Sequence, residues 1–221
     1  GAKHVIISAP GKGEMKTVVY GVNDDILTKE DTVISAASCT TNCLAPVLKC
    51  INDAFGIESG FMTTIHAYTN DQNTLDGSHK KGIVSRRGRT AASNIVPAST
   101  GAASAIGLVI PELQGKLDGL AFRVPTDDGS VIDLSLILKK EVTKEEVNEA
   151  FANHQNSVLK FTYDPVVSSD IIGNPCGGLV DGLSTKVLDT NKKEIKVVAW
   201  YDNEYGYSAQ MLRTMDKLLK L

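Results

Sequence analysis

The stretch from Thr32 to Phe55 most constrains how this 221-residue chain can fold. Thr32-Val33-Ile34-Ser35-Ala36-Ala37 is an apolar, strand-like run, and it feeds directly into Ser38-Cys39-Thr40-Thr41-Asn42-Cys43. From Leu44 onward the apolar residues Leu44, Val47, Leu48, Ile51 and Phe55 recur at helical spacing, and Gly56 is placed to end the helix as its C′ residue. Pro46 falls inside this pattern, so it either kinks the helix or marks a later first turn. A cysteine at such a junction sits where unpaired N–H groups and the helix dipole favour an anion. That setting is expected to lower the thiol pKa and favour the nucleophilic thiolate. The hydroxyls of Ser38, Thr40 and Thr41 stand ready to donate to substrate oxygens or phosphate. Taken alone, the hexapeptide reads more readily as an N-cap followed by a buried structural thiol, since a free cysteine is often a small core hydrophobe.

The rest of the chain supplies strands and helices in irregular order. Lys3–Pro10 is expected to be a short buried strand, Thr17–Val22 a second, and Thr32–Ala37 a third. Phe61–Thr69 has the β-branched and aromatic density of a strand, with His66 near its end. Asn70–Arg89 reads as a long functional loop, basic toward its end through Lys80, Lys81, Arg86, Arg87 and Arg89. Thr100 is placed to cap a small-residue helix that runs to about Ile110. Strands are expected over Leu120–Pro125, Ser130–Lys139 and Lys196–Tyr201. Thr143-Lys144-Glu145-Glu146 is a capping box opening a helix to about Gln155. In the last segment Met211, Leu212, Met215, Leu218 and Leu219 share one helical face. The pattern points to a mixed α+β fold, with a mostly antiparallel sheet and helices on one face.

Charge and cysteine usage narrow the function classes. A net charge of −3 gives no global electrostatic case for nucleic acid, and no apolar run is long enough to span a bilayer. The start, Gly1-Ala2-Lys3-His4-Val5, does not have the shape of a signal peptide. Four cysteines suggest free thiols in a reducing cytoplasm rather than a disulfide scaffold, and no Cys/His spacing suggests a metal site. A thiol nucleophile needs a base. Of the four histidines, His4, His79 and His154 are expected to be solvated, which leaves His66.

These motifs occur together in one known family. The segments Ser38–Cys43, His66-Ala67-Tyr68-Thr69, Ser99-Thr100-Gly101-Ala102-Ala103, Phe122-Arg123-Val124-Pro125-Thr126 and Trp200–Ser208 resemble, in order, those of the phosphorylating glyceraldehyde-3-phosphate dehydrogenases. The resemblance implies that Cys39 is the nucleophile and His66 its base. It implies that Thr69 and Arg123 hold the substrate phosphate, while Ser38, Thr40, Arg87, Thr100 and Gly101 hold inorganic phosphate. It further implies NAD as cofactor, with Asn203 fixing the nicotinamide carboxamide and Ser8 flanking it. The expected partners are glyceraldehyde 3-phosphate, inorganic phosphate and further copies of the chain in a tetramer. Residues 38–203 would then be the catalytic domain and 1–37 a remnant of a Rossmann-type dinucleotide-binding domain. Residues 204–221 would be a C-terminal helix that packs on that domain. The family's Gly-x-Gly-x-x-Gly turn is not in this sequence, so roughly a hundred residues, about one small domain, are expected to be missing. The NAD or NADP preference stays open. So do two alternatives: a related enzyme such as an erythrose-4-phosphate dehydrogenase, and a non-catalytic binding or oligomerisation module.

Overall fold

The computed structural model describes residues 1–82 and 84–221; residue 83 of the long basic loop lies outside the described residues. Three short strands, β1 (Val5–Ile7), β2 (Lys16–Thr17) and β3 (Val33–Ser35), form a parallel sheet in the order β1-β3-β2. Two of these differ from the sequence reading. β1 is partly exposed rather than buried, because only β3 pairs with it. The expected strand over Thr17–Val22 stops at Thr17. The Asn23 side chain accepts from Val19 N–H (2.8 Å) and donates to the Thr17 carbonyl (2.9 Å), replacing a strand neighbour with a local turn. Val18 and Val19 are nonetheless fully buried.

β3 leads into α1 (Cys39–Phe55), which starts at Cys39 and continues through Pro46. The proline removes one backbone donor but is itself buried, within a run from Thr40 to Leu48 that is buried throughout, and the packed helix survives it. Gly56 ends it at φ +72°, a backbone state that glycine adopts freely. The main sheet comprises β4 (Ile57–Ala67), β5 (Val96–Ser99), β6 (Leu117–Val124), β7 (Ser130–Leu138), β8 (Leu159–Thr162), β9 (Gly178–Asp181), β10 (Lys186–Leu188) and β11 (Asn191–Tyr201). Its order is β5-β6-β4-β7-β11-β9-β8, with β10 also on β11; five of its seven pairings are antiparallel. The mostly antiparallel α+β architecture is therefore as expected.

Alternation along the central strands sets the layers. Ile132, Leu134, Leu136 and Leu138 of β7, and Ile195, Val197, Ala199 and Tyr201 of β11, point into one core. α1 lies across that face against β4, β7, β9 and β11, flanked by α2 (Ala102–Val109) and α3 (Lys144–Asn153). The capping box of α3 forms as read: Thr143 Oγ1 accepts from Glu146 N–H, and Glu146 accepts from Thr143 N–H. At α2 the N-cap is Gly101, one residue later than expected, and the Thr100 hydroxyl accepts from Ala102 N–H instead (3.2 Å). α4 (Tyr205–Leu219) buries Gly206, Gln210, Thr214 and Leu218, and Leu218 joins Val18, Leu27 and Ile34 in a second, small core. Leu212, Met215 and Leu219, on the apolar face read from the sequence, are exposed. No helix among the described residues is long and apolar enough to cross a membrane.

Candidate active site

Cys39 is the first residue of α1, and the strand before it must turn sharply to present it. Ala37 takes φ +58°, a strained value for a residue with a Cβ, and its carbonyl accepts from Tyr207 Oη (3.2 Å). Ser38 is the N-cap; its Oγ accepts from Thr41 N–H (3.1 Å) and lies 2.8 Å from Thr41 Oγ1. Asn42 Nδ2 donates back to the Ala36 and Ser38 carbonyls, which fixes the turn from the helix side.

His66, on the inward face of β4, brings Nε2 to 3.4 Å from Cys39 Sγ. The short 2.7 Å contact of its Nδ1 with the Ala67 carbonyl favours the tautomer with the proton on Nδ1 over one in which Arg123 donates to Nδ1, and that tautomer leaves the Nε2 lone pair facing sulfur. β4 and β6 pair in register His66–Arg123, so the guanidinium lies alongside. Arg123 donates to the Ala67 carbonyl (3.0 Å) and to Thr69 Oγ1 (3.3 Å), and the same nitrogen is 3.0 Å from His66 Nδ1. Burial, with the positive charges of Arg123 and Arg87, holds the His66 pKa down to about 4, while the Ala67 hydrogen bond works the other way. At neutral pH the imidazole is a free base.

The thiol departs from expectation. Burial pushes the Cys39 pKa up, and the lowering effects of Thr40 and Arg123 do not outweigh it. Both shifts favour the pair as neutral thiol and neutral imidazole over thiolate and imidazolium. Helix-start N–H groups favour an anion, but here they act on a half-buried cysteine packed against protein, and desolvation is the largest effect on its thiol. Cys50, at about 12, and Cys176, at about 11, are also raised by burial, and Cys43 lies well above its ordinary value. None of these three has a histidine in hydrogen-bond contact among the described residues, so Cys39 alone has a base at hand.

The remaining expected residues fall into two groups. Thr69 and Arg123 are joined directly, beside a cleft of about 380 Å³ also lined by Gln72 and Glu204. Arg87 is ion-paired to Asp71 (2.7 Å) and donates to the Ser99 carbonyl (3.3 Å), which brings it next to Thr100 and Gly101. Arg86, one residue earlier, is exposed. Thr40 is buried, with its hydroxyl 3.0 Å from Tyr201 Oη, so what it offers a ligand is its backbone N–H. Ser8 is exposed in the loop after β1; the Ser35 hydroxyl ties that loop down by donating to the Ala9 carbonyl and accepting from Gly11 and Ala37 N–H. Among the described residues no hydrogen bond joins Ser8 to Cys39, His66 or Asn203. Asn203 is buried, its Oδ1 accepting from Ser130 Oγ (2.6 Å), while its Nδ2 has no partner. An unpaired buried amide donor is costly unless a ligand carbonyl meets it, and the carboxamide of a nicotinamide fits that demand.

Several contributors escaped the sequence reading. Asp71, ion-paired to Arg87 and Lys80, and Ser130, which accepts from Ala67 N–H and donates to Asn203, act through contacts that no spacing rule reveals, and Tyr201 was noted only as part of a motif. His79 was expected to be solvated but is buried, with Nε2–H donating to the Asp71 carbonyl (2.8 Å) and Nδ1 accepting from Lys81 N–H (3.1 Å). It pins the basic loop back on itself.

Comparison with known proteins bears on these observations. A family model described as "Glyceraldehyde 3-phosphate dehydrogenase, C-terminal domain" matches residues 38–203. Proteins named glyceraldehyde-3-phosphate dehydrogenase from Clostridium pasteurianum and Streptococcus pyogenes are 55% identical to this chain, and one from Clostridium acetobutylicum is 54% identical. Each alignment covers 100% of this chain and 66% of the relative, so the chain spans just under two thirds of the length of the curated relatives it matches.

Proposed function

Since the chain belongs to the glyceraldehyde 3-phosphate dehydrogenase family, through that family's C-terminal domain, we propose that it carries the catalytic part of an NAD-dependent, phosphorylating aldehyde dehydrogenase of glycolysis. Its substrates are glyceraldehyde 3-phosphate and inorganic phosphate, and its product is 1,3-bisphosphoglycerate. The observation that carries this reading is the 3.4 Å contact of Cys39 Sγ with the unprotonated Nε2 of His66, flanked by two half-buried arginines that a pair of phosphates would neutralise.

The chemistry follows from the resting state. His66 Nε2 takes the thiol proton as Cys39 Sγ attacks the aldehyde carbon, so a reactive thiolate exists only when an electrophile is present. His66 returns that proton to the carbonyl oxygen to give a thiohemiacetal on Cys39, and removes it again from the hydroxyl when hydride leaves the carbon. When bound, the nicotinamide supplies the hydride acceptor for this carbon. Cys39 is left as a thioester, and phosphate held by Ser38, Thr100, Gly101 and Arg87 attacks it, releasing the acyl phosphate and the thiol. Thr69 and Arg123 hold the substrate's own phosphate, where the planar guanidinium donates from two nitrogens at once. Asn203 would hold the nicotinamide carboxamide through its unpaired Nδ2.

The reading extends to assembly and compartment. Residues 1–37, with their parallel strands, belong with a dinucleotide-binding domain, and the exposed face of α4 packs on the rest of that domain. The protein works as a homo-oligomer, a tetramer as in its family, in the cytoplasm. Phe61, Leu120 and Ile137, exposed on the sheet face away from α1, support the first point, and four free cysteines the second. The test is NAD reduction by the full-length protein with glyceraldehyde 3-phosphate and with erythrose 4-phosphate, each with and without phosphate. Turnover that prefers the three-carbon aldehyde and needs phosphate is expected. Preference for the four-carbon aldehyde, or turnover indifferent to phosphate, would overturn the assignment.

A further inference from the structure

Tyr201, the last residue of β11, is fully buried beneath the Cys39–His66 pair. Its hydroxyl lies 3.0 Å from Thr40 Oγ1 and 2.8 Å from Thr64 Oγ1. Thr40 follows Cys39 in α1, and Thr64 precedes His66 by two residues on the same face of β4. One phenol therefore bonds the neighbour of each reacting group. Its ring also meets His66 edge-on, with centroids 5.9 Å apart and planes at 78°. Thr64 in turn donates to the Val131 carbonyl (3.3 Å), so Thr40 Oγ1–H, Tyr201 Oη–H and Thr64 Oγ1–H can run in one direction with every proton placed.

We infer that Tyr201 is a positioning residue for the Cys39–His66 pair, its hydroxyl tying the start of α1 to β4 through Thr40 and Thr64 and its ring holding the imidazole edge-on. This rests on the thiol–imidazole reading above. The tie matters because the other links between α1 and β4, the Gly56 connection and the Ile57 N–H to Asn52 Oδ1 bond (3.1 Å), lie at the far end of both elements, and the apolar packing between them is not directional. A 3.4 Å thiol–imidazole contact is already at the long end for proton transfer, so a further ångström between the two elements would lose the base without unfolding the domain. Burial keeps the phenol neutral, so it contributes no charge of its own.

The test compares Tyr201→Phe with the unaltered protein by the rate at which iodoacetamide alkylates Cys39, and by the NMR titration of His66. In alkylation the sulfur–carbon bond forms, iodide leaves and the thiol proton passes to His66. The groups facing His66 are Cys39 from α1, Tyr201 from β11, Arg123 from β6 and Arg87 from the basic loop; only the phenol is altered. Tyr201→Phe should slow Cys39 alkylation about tenfold, the worth of one to two hydrogen bonds, and should raise the His66 midpoint as water gains access. In a His66→Asn background the same substitution should change nothing further, because the base it positions is gone. An unchanged rate and titration, or an equal slowing with and without His66, would overturn the inference. Thr64→Val carries the same test through the second hydrogen bond should Tyr201→Phe not fold, with a smaller slowing expected and an unchanged rate again counting against it. If the unaltered protein shows no faster alkylation at Cys39 than at Cys43, Cys50 and Cys176, the functional reading itself fails, and the inference falls with it.

Discussion

At His66 the two ring nitrogens have different partners: Nδ1–H meets the Ala67 carbonyl and Nε2 meets sulfur. The depressed pKa of about 4 arises first from burial and then from the charges of Arg123 and Arg87. An anion bound between those arginines cancels the charge contribution but leaves burial in place. Inorganic phosphate should therefore raise the His66 titration midpoint, and NMR with and without phosphate checks this; no movement would separate the arginines from the phosphate site. The same shift links stability to pH. The folded pKa lies below the ordinary 6.5, so the unfolded chain takes up a proton that the folded chain refuses as pH falls. Stability should be intact above about 6.5 and fall progressively to about pH 4, by on the order of 3 kcal/mol from this residue. Urea melts at several pH values check this, and His66→Asn should flatten that part of the slope. Cys39 and His66 were legible in the sequence because their motifs are contiguous. The sign of the thiol shift was not, because it depends on how α1 packs against β4 and β11, which the residues around Cys39 do not encode. Tyr201 was hidden for the same reason, its partners lying 161 and 137 residues away.

The elements were easier to find than their ends. Periodicity located α1, α3, β4 and β7, but β4 begins at Ile57 rather than Phe61 and β11 at Asn191 rather than Lys196, since paired neighbours extend a strand beyond its own β-rich residues. The α3 cap was read correctly because both of its partners lie within four residues. Thr143→Ala should cost about 1 kcal/mol of stability by chemical denaturation and leave Cys39 alkylation unchanged, since the cap is remote from the site. The junction before α1 should respond oppositely. Ala37→Val puts a β-branched side chain at φ +58° in a fully packed position and should cost about 2 kcal/mol or more, with slower alkylation of Cys39. At the centre of the sheet, Leu134→Ala removes a fully buried side chain between α1 and β7's neighbours and should cost about 2–5 kcal/mol in the same melts.

Across the whole molecule there are two cores of unequal size. The larger joins the main sheet to α1, α2 and α3, and the smaller consists of Val18, Leu27, Ile34 and Leu218. Beside the smaller core α4 leaves Leu212, Met215 and Leu219 exposed, a stripe that a solvated helix has no reason to keep. Replacing Leu212 and Leu219 by Lys should shift the stability of these 221 residues by no more than about 0.5 kcal/mol, while weakening attachment of the remaining third of the family's length; thermal melts and co-purification of the two parts check the pair of outcomes. The central claim is that Cys39 forms an acyl thioester with His66 as its base, and this can be tested without hydride transfer by running acyl transfer in reverse. With 1,3-bisphosphoglycerate the carbonyl carbon bonds to Cys39 Sγ, inorganic phosphate leaves and the thiol proton passes to His66. Peptide mapping by mass spectrometry should find the 3-phosphoglyceroyl group on the peptide that holds Cys39, absent in Cys39→Ser and slow to form in His66→Asn. Acylation spread over Cys43, Cys50 and Cys176, or formed at the same rate without His66, would contradict the account.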